Sequence, residues 1–409
     1  MRILIASAYY WPEFSGTAPY VTAPAEYLAA QGHDVHVVAA YPHYPQWREL
    51  ERRTLASTEM RNGVQIHRRW HTIPSAQSSK SRALYEASML GFGSSALVSV
   101  PRPDVIFGVT PALASASLAY LAAQRFRRPY GLVIHDLMGR GAIQSGIGSD
   151  RVGRVIERVE RRLAESASRL RVLADGMKDF FVDGGVRPDA ISVVPTWTLR
   201  ASPAVDRVAV RRSAGWSDSD FICFHGGNIG QKQGLENVVD AADLLRRGGS
   251  ESVRIVLVGD GNDRSRLEAK SRQLGLQNLE FIPMQPAERY DELVAAADLL
   301  LLNQRPTVAD MSLPSKLSAY LASGRPVLAA VSSDSPAAIE LRRSEGGLIV
   351  DPGRPEGLVE GIEGLLGEPG LLDEIGSKGK EYAKRSLSSD AILPRYEEFV
   401  TSIAVSRSR

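Results

Sequence analysis

Residues 221–236 read FICFHGGNIGQKQGLE: an apolar run, a loop holding Gly226, Gly227, Gly230 and one lysine, Lys232, and then the start of a helix. This order predicts a buried strand that delivers the chain to an anion. The glycines omit the side chains that would keep an anion off backbone N–H groups, while a helix N-terminus and Lys232 supply positive potential. Such chemistry suits a diphosphate. An ordinary strand-to-helix turn with a solvated lysine has the same letters, so the rest of the chain has to decide between them.

The same alternation runs from end to end. ILIASA precedes a helix over 21–31 closed by Gly32; VHVVAA, VQIHRRW, a helical stretch over 81–100, VIFGV, a helix ending at Arg127 and GLVIH follow. After Arg200 the pattern restarts with FICFHG, RIVLVGDG, LEFIPM, LLLLN, PVLAAV and GLIVDPG, with helices over 235–247, 264–274 and 290–297 between them. Near-continuous apolar strands separated by helices predict parallel sheets covered on both faces. The expected fold is α/β, with two Rossmann-like, doubly wound parallel-sheet domains facing a cleft. Residues 1–200 and 206–385 form the expected domains, and 386–409 a terminal segment whose helix returns to the first. Ligands of such sheets bind outside the carboxyl ends of the strands, which directs attention to the loops there.

Three of these loops carry suggestive residues. Gly259-Asp260-Gly261 after VLV would let a nucleoside lie against backbone, although Gly-Asp-Gly is also common turn punctuation. Pro283 and Met284 reach a similar rim. After LLLLN comes Leu313-Pro314-Ser315-Lys316 and a helix over 317–323, with Ser315 as the expected N-cap. A lysine in the first turn opposes the helix dipole, and a bound anion would remove that conflict.

A chain of 409 residues accommodates two such cores, and 44% hydrophobic with 23% charged residues is a soluble, globular composition. The opening MRILIASA runs at once into Tyr9, Tyr10, Trp11, Pro12 and Glu13, which reads as a first strand and not as a secretory signal. With a single cysteine, Cys223, inside a strand, the expected compartment is cytoplasmic. The net charge of +2 is uneven: residues 1–200 hold 24 Lys and Arg against 17 Asp and Glu, and the remainder 25 against 30. Arg68-Arg69, Arg125-Arg127-Arg128 and the arginines of 151–171 read either as attraction to an anionic membrane or phosphorylated acceptor, or as solvated helix faces. Interleaved acids (Glu157, Glu160, Glu165) and the lack of a nucleic-acid module pattern argue against nucleic acid.

No metal site is expected. Asp218-Ser219-Asp220 precedes a strand instead of following one, and His67 and His71, four apart on an expected strand, stand roughly 13 Å apart, too far for one ion.

GNIGQKQGLENVVDAA, VLVGDG, LPSKLSAYLASGRPVLA and GGLIVDPGRPEGLVEGI, in that order, resemble the donor half of the retaining GT-B glycosyltransferases of family 4. They are most similar to the branch acting in bacterial polysaccharide assembly, of colanic-acid and O-antigen type. ILIASAYYWPEFSGTAPYV with GHDVHVV, and VIHDL, are similar to that branch's N-terminal glycine loop and acceptor-side His-Asp, so the resemblance spans the chain. It implies a metal-independent hexosyltransferase with no cofactor, the nucleotide sugar, UDP-linked, being a substrate. The implied acceptor is a saccharide linked to a polyprenyl diphosphate, reached by peripheral contact with anionic lipid at the inner face of the plasma membrane.

On the same resemblance, Lys232 and Lys316 neutralise the donor diphosphate, and Gly227, Asn228, Gly230, Leu313, Pro314 and Ser315 complete the cradle. Gly259, Asp260 and Met284 border the nucleoside. Gly16 meets the donor from the other domain, His135 contacts the donor sugar or the acceptor hydroxyl, and Glu13 orients the acceptor. The family's transfer is written with retention, the leaving phosphate itself taking the acceptor proton, so catalysis is charge stabilisation and positioning. The wider family often carries two glutamates eight positions apart where this chain has Met311 and Ala319, which leaves their sugar contacts to other residues such as Glu340. Other readings stay open: a small-molecule glycosyltransferase, a non-hydrolysing sugar-nucleotide 2-epimerase drawing on Glu13, Asp136 and Glu340, and an inert nucleotide-sugar-binding homologue. A dinucleotide oxidoreductase is disfavoured because no strand ends in GxGxxG with an acid at the proper distance.

Overall fold

The computed structural model describes residues 1–74, 78–139, 150–199, 203–306 and 314–406. The chain divides into two compact units, residues 1–195 with 392–409, and residues 196–391.

The first unit is built on eight described strands: β1 (Arg2–Ser7), β2 (Asp34–Ala40), β3 (Ala56–Arg61), β4 (Val64–Arg69), β5 (Val105–Val109), β6 (Tyr130–Ile134), β7 (Arg169–Val172) and β8 (Ile191–Val193), in the order β3-β4-β2-β1-β5-β6-β7-β8. Seven of them run parallel, and β5 and β6 are buried along their whole length because helices cover both faces. The exception is β3, which pairs antiparallel with β4 at the sheet edge. Its sequence, ASTEMR, is polar and alternates exposed with half-buried positions, so the search for apolar runs passes over it. The short RLRV and ISV of β7 and β8 escape the same search.

The helix Pro394–Val405 belongs to this first unit, burying Tyr396, Phe399, Val400 and Ile403. Gly131 of β6 makes its approach possible, since a Cβ there would stand 2.5 Å from Ile403 and 2.9 Å from Phe399. The buried Arg171 guanidinium lies 3.6 Å from the centroid of the Tyr396 ring, an attraction worth more when desolvated.

The second unit has six described strands, β9 (Phe221–Gly226), β10 (Val253–Val258), β11 (Leu279–Ile282), β12 (Leu299–Asn303), β13 (Val327–Ala330) and β14 (Gly347–Val350), all parallel in the order β11-β10-β9-β12-β13-β14. Its core is two clusters, one on each sheet face. Ile222, Phe224, Val256, Val258, Leu300 and Leu302 point to one, while Phe221, Cys223, Ile255, Leu257, Leu299 and Leu301 point to the other. That division follows from the two-residue period of a strand and explains why successive positions of these strands, and not only alternate ones, are mostly apolar.

Among the parallel strands of each sheet the strand order reverses at one place, between β1 and β5 in the first unit and between β9 and β12 in the second. The crevice outside the carboxyl ends at such a reversal is where ligands of doubly wound sheets bind. The glycine loop of 226–230 leaves β9 at that point.

Candidate functional site

In the second unit the loops after β9 and β10 pack backbone on backbone. The Gly227 N–H donates to the Val258 carbonyl at 2.8 Å, Ile229 N–H to the Asp260 carbonyl at 2.8 Å, and Asp263 N–H to the Ile229 carbonyl at 3.1 Å. Gly259 has φ +143°, and a Cβ there would stand 1.9 Å from the Gly227 oxygen. Only glycine allows this approach. The Arg264 guanidinium closes the underside, donating to the carbonyls of Gly259 and Ile282. Asp260 is exposed, and its carboxylate accepts from the Gly261 N–H at 2.8 Å. Met284 is 74% exposed on the rim, a large apolar side chain left bare beside a polar loop.

The chain does not pass directly from the glycine loop into a helix. A 3-10 turn, Gln231–Gln233, starts from Gly230 and ends on Gly234 at φ +59°, before the helix Glu236–Gly248 begins. Lys232 lies on that turn with its side chain exposed. Asn303, at the end of β12, locks the turn by donating to the carbonyls of Gln233 and Gly234 at 2.7 and 2.9 Å, while its own oxygen accepts from Asn237 at 2.9 Å.

Lys316 arrives from the helix Ser315–Ser323. Ser315 is the first helical residue rather than the cap. Pro314 occupies the cap position without a side-chain bond to the helix, and the Leu317 N–H turns back to the Pro314 carbonyl at 2.9 Å, so no side-chain cap competes with a ligand for the amides of Ser315 and Lys316. The half-buried Lys316 ammonium stands 3.5 Å from where a Gly227 Cβ would be and 3.3 Å from Nε2 of the buried His225. Desolvation lowers it from 10.5 to about 8. It therefore remains a cation at neutral pH, directly over the exposed Gly227 backbone. Leu313 and Met311 lie outside the described residues.

Glu340 belongs to the same unit. It is buried in the helix Pro336–Ser344, where its carboxylate accepts from the Tyr382 hydroxyl at 2.8 Å. Asp218-Ser219-Asp220 forms a turn, with Asp220 accepting from the Ser217 N–H at 2.8 Å. Among the described residues no three His, Cys, Asp or Glu side chains are grouped as a metal site.

In the first unit, Glu13 is 5% exposed; one of its oxygens accepts from the N–H groups of His43 and Tyr44, both at 2.8 Å. The other has no partner among the described residues, and burial raises the carboxyl from 4.5 to about 7 against those bonds. The carboxylate thus braces the loop after β1 against the aromatic loop after β2. Gly16, exposed at φ +63°, lies against Tyr44, and Arg82 sits 4.5 Å from the Trp47 ring centroid. His135 follows β6; its ring is 5.9 Å from Tyr20, and its Nε2 is buried with no described partner. Desolvation, reinforced by Arg171, pushes His135 down to about 3, so it is neutral and offers a hydrogen bond rather than a charge.

The arginine runs separate into two kinds. Arg68 and Arg69 are 2% and 7% exposed: Arg68 pairs with Glu59 at 2.7 Å and donates to the Ala40 carbonyl, and Arg69 bonds Ser95 and Ser99. They hold the sheet edge and do not face an anionic surface, which corrects the reading of that pair. The helix Asp150–Ser166 differs. It exposes Arg151, Arg154, Arg158 and Arg162 together with Val152, Val155 and Val159. Among the described residues no helix is long and apolar enough to cross a membrane.

Sequence reasoning missed His225, Tyr320, Asn303 and Arg264. The signal for two of them was a polar residue closing an apolar strand, His225 in FICFHG and Asn303 in LLLLN.

Comparison with known proteins identifies the family and the fold. Residues 15–197 match the glycosyl transferase 4-like domain and residues 206–382 the glycosyl transferases group 1 domain. A putative colanic acid biosynthesis glycosyl transferase of Escherichia coli, WcaI, is 31% identical over 97% of this chain and 98% of its own. Among solved structures, sucrose-phosphate synthase of Thermosynechococcus elongatus superposes with a TM-score of 0.75 at 17% identity, covering 99% of both chains. HepE of Anabaena in complex with UDP gives 0.72 at 16%, covering 98% of this chain and 100% of the other. At those identities the structures establish the two-domain GT-B fold.

Proposed function

Because the chain belongs to the group 1 glycosyltransferases with a 4-like N-terminal domain and is similar along its length to a putative colanic acid biosynthesis transferase, we propose that it acts in polysaccharide biosynthesis, moving a hexosyl group from a UDP-sugar to a saccharide acceptor with retention of configuration. The observation that carries this reading is the Lys316 ammonium over the exposed Gly227 backbone, at the strand-order reversal of the second unit. A diphosphate there meets the Lys316 cation, the exposed Lys232, and the Ser315 and Lys316 amides that begin the helix Ser315–Ser323. These groups stabilise charge as it grows on the leaving diphosphate, a task two lysines perform without a metal ion. The leaving phosphate takes the acceptor proton, so no side chain has to act as nucleophile. The UDP bound by HepE favours that nucleotide.

In the first unit His135 and the loop bearing Gly16 would serve the acceptor and the sugar. Glu13 holds that loop in shape. The acceptor is lipid-linked on this proposal, and the Asp150–Ser166 helix supports it: its exposed arginines complement anionic headgroups, at about 1 kcal/mol each, and its exposed valines reach the acyl boundary. A panel of UDP-, GDP- and dTDP-sugars scored by thermal shift tests the donor, since a ligand of the folded state must raise its stability. The UDP-sugars should give the largest shift, and their radiolabel should pass to a lipid-linked saccharide. A shift without transfer or hydrolysis would instead support an inert binder, the reading favoured by Ala319 standing where the wider family has a glutamate. Flotation should show binding to anionic vesicles that falls with salt and weakens when Arg151, Arg154 and Arg158 are neutralised; equal recovery with neutral vesicles would overturn the membrane contact.

A further inference from the structure

β9 and β12 are registered only at Cys223 with Leu299 and Phe224 with Leu300. Beyond that point side chains meet the polar groups of both strands. The Gly226 N–H donates to the Tyr320 hydroxyl at 2.8 Å, and Nδ1 of the fully buried His225 lies 3.0 Å from the Leu301 carbonyl. A carbonyl only accepts, so Nδ1 carries the proton, and in a neutral imidazole Nε2 is then a bare lone pair. That lone pair faces the Lys316 ammonium at 3.3 Å.

The ring cannot easily become a cation. Burial and the Lys316 charge hold His225 well below its ordinary value, against the Leu301 and Asn228 carbonyls that favour protonation. The other titratable groups beside Gly226 are Tyr290 and Tyr320, both raised by burial, Tyr290 to about 12. Around neutral pH the ring and both tyrosines therefore keep fixed protonation states, and the lysine is mostly the ammonium form. An ammonium has three N–H bonds and rotates freely unless one is anchored. Anchoring one on Nε2 fixes the cone swept by the other two, beside Gly227.

We propose that His225 is a positioning residue: its Nδ1–H tautomer, set by the Leu301 carbonyl, holds the Lys316 ammonium over Gly227 and aims it at the donor diphosphate. The inference rests on the reading that the glycine loop takes a diphosphate. It assigns a task to a buried imidazole that touches no substrate, and it accounts for a histidine at the end of a strand otherwise composed of apolar residues and glycine.

The test is a double-mutant cycle read by calorimetric titration of UDP into the full chain. His225→Phe should weaken UDP binding about tenfold, the loss of a hydrogen bond to a charged group. His225→Gln should recover most of it, because its amide donates to Leu301 and offers an oxygen to the ammonium. Adding His225→Phe to Lys316→Ala should cost no further affinity. Equal losses in both backgrounds would mean a merely structural ring and overturn the proposal. Two ligand-free NMR measurements keep it separate from the diphosphate reading. In the wild type, the His225 nitrogens should show a protonated Nδ1 and a bare Nε2, and the opposite tautomer overturns the proposal even where His225→Phe does not fold. The Lys316 amine should titrate lower in His225→Phe than in the wild type, and an unchanged value also overturns it. Failure of the wild type to bind either UDP or inorganic pyrophosphate would sink the diphosphate reading and with it the aim assigned to His225.

Discussion

Raising the pH through 8 is expected to weaken UDP binding through Lys316. Desolvation at the head of the Ser315–Ser323 helix lowers its ammonium from 10.5 to about 8, and only the ammonium form holds a diphosphate. The apparent Kd then grows as one plus ten to the power of pH minus 8. That is a factor of about 2 at pH 8 and about 11 at pH 9, a loss of roughly 1.4 kcal/mol. Unfolding does not contribute at this group. Because its folded value lies below the unfolded one, the unfolded chain binds more protons between about pH 8 and 10.5, and stability from Lys316 rises with pH across that window. Calorimetric titration of UDP from pH 7 to 9 at constant ionic strength provides the measurement, with Lys316→Arg as the reference whose charge does not titrate. The wild-type curve should fall away from the arginine curve above pH 7.5. Parallel curves, or a wild-type Kd that changes by less than about threefold from pH 7.5 to 9, would refute the reasoning.

Lys232→Ala should leave the melting temperature within about 1 °C, since the side chain is exposed, yet reduce transfer by about 10² to 10³; near-normal turnover would remove Lys232 from the site. Gly259→Ala should destabilise the fold by about 3 kcal/mol or more, because the new Cβ meets the Gly227 oxygen at 1.9 Å with φ at +143°, and an unchanged denaturation midpoint would contradict that geometry. For Glu13, raised from 4.5 to about 7 by burial, the folded chain binds more protons between those values, so its contribution to stability falls as pH rises through the window. Glu13→Gln should therefore gain up to about 3 kcal/mol at pH 8 and nothing at pH 4.5; denaturant curves showing no difference between the two pH values would count against it. Transfer activity should survive excess EDTA, and its return only on adding manganese or magnesium would refute charge stabilisation by lysines alone.

Period and chemistry made the architecture readable. Every strand of the second unit has a core on both faces, so each announces itself as an apolar run, and the glycines at 226, 227, 230 and 259 mark where backbone must approach backbone. The polar edge strand β3 left no such mark, because one side of it meets water. Lys232 and Lys316 were legible as loop cations from local context alone.

What Lys316 does with its charge was decided by tertiary structure. Its neighbours Gly227 and His225 lie some ninety residues away in the chain, and they meet it only because β9 and β12 are adjacent where the strand order reverses. The same holds for Arg68 and Arg69, which the letters present as surface charge and the fold buries against Glu59, Ala40, Ser95 and Ser99. A side chain's period along its own element can be counted in the sequence. The partners that set its burial, protonation and aim come from other elements, and only packing brings them together.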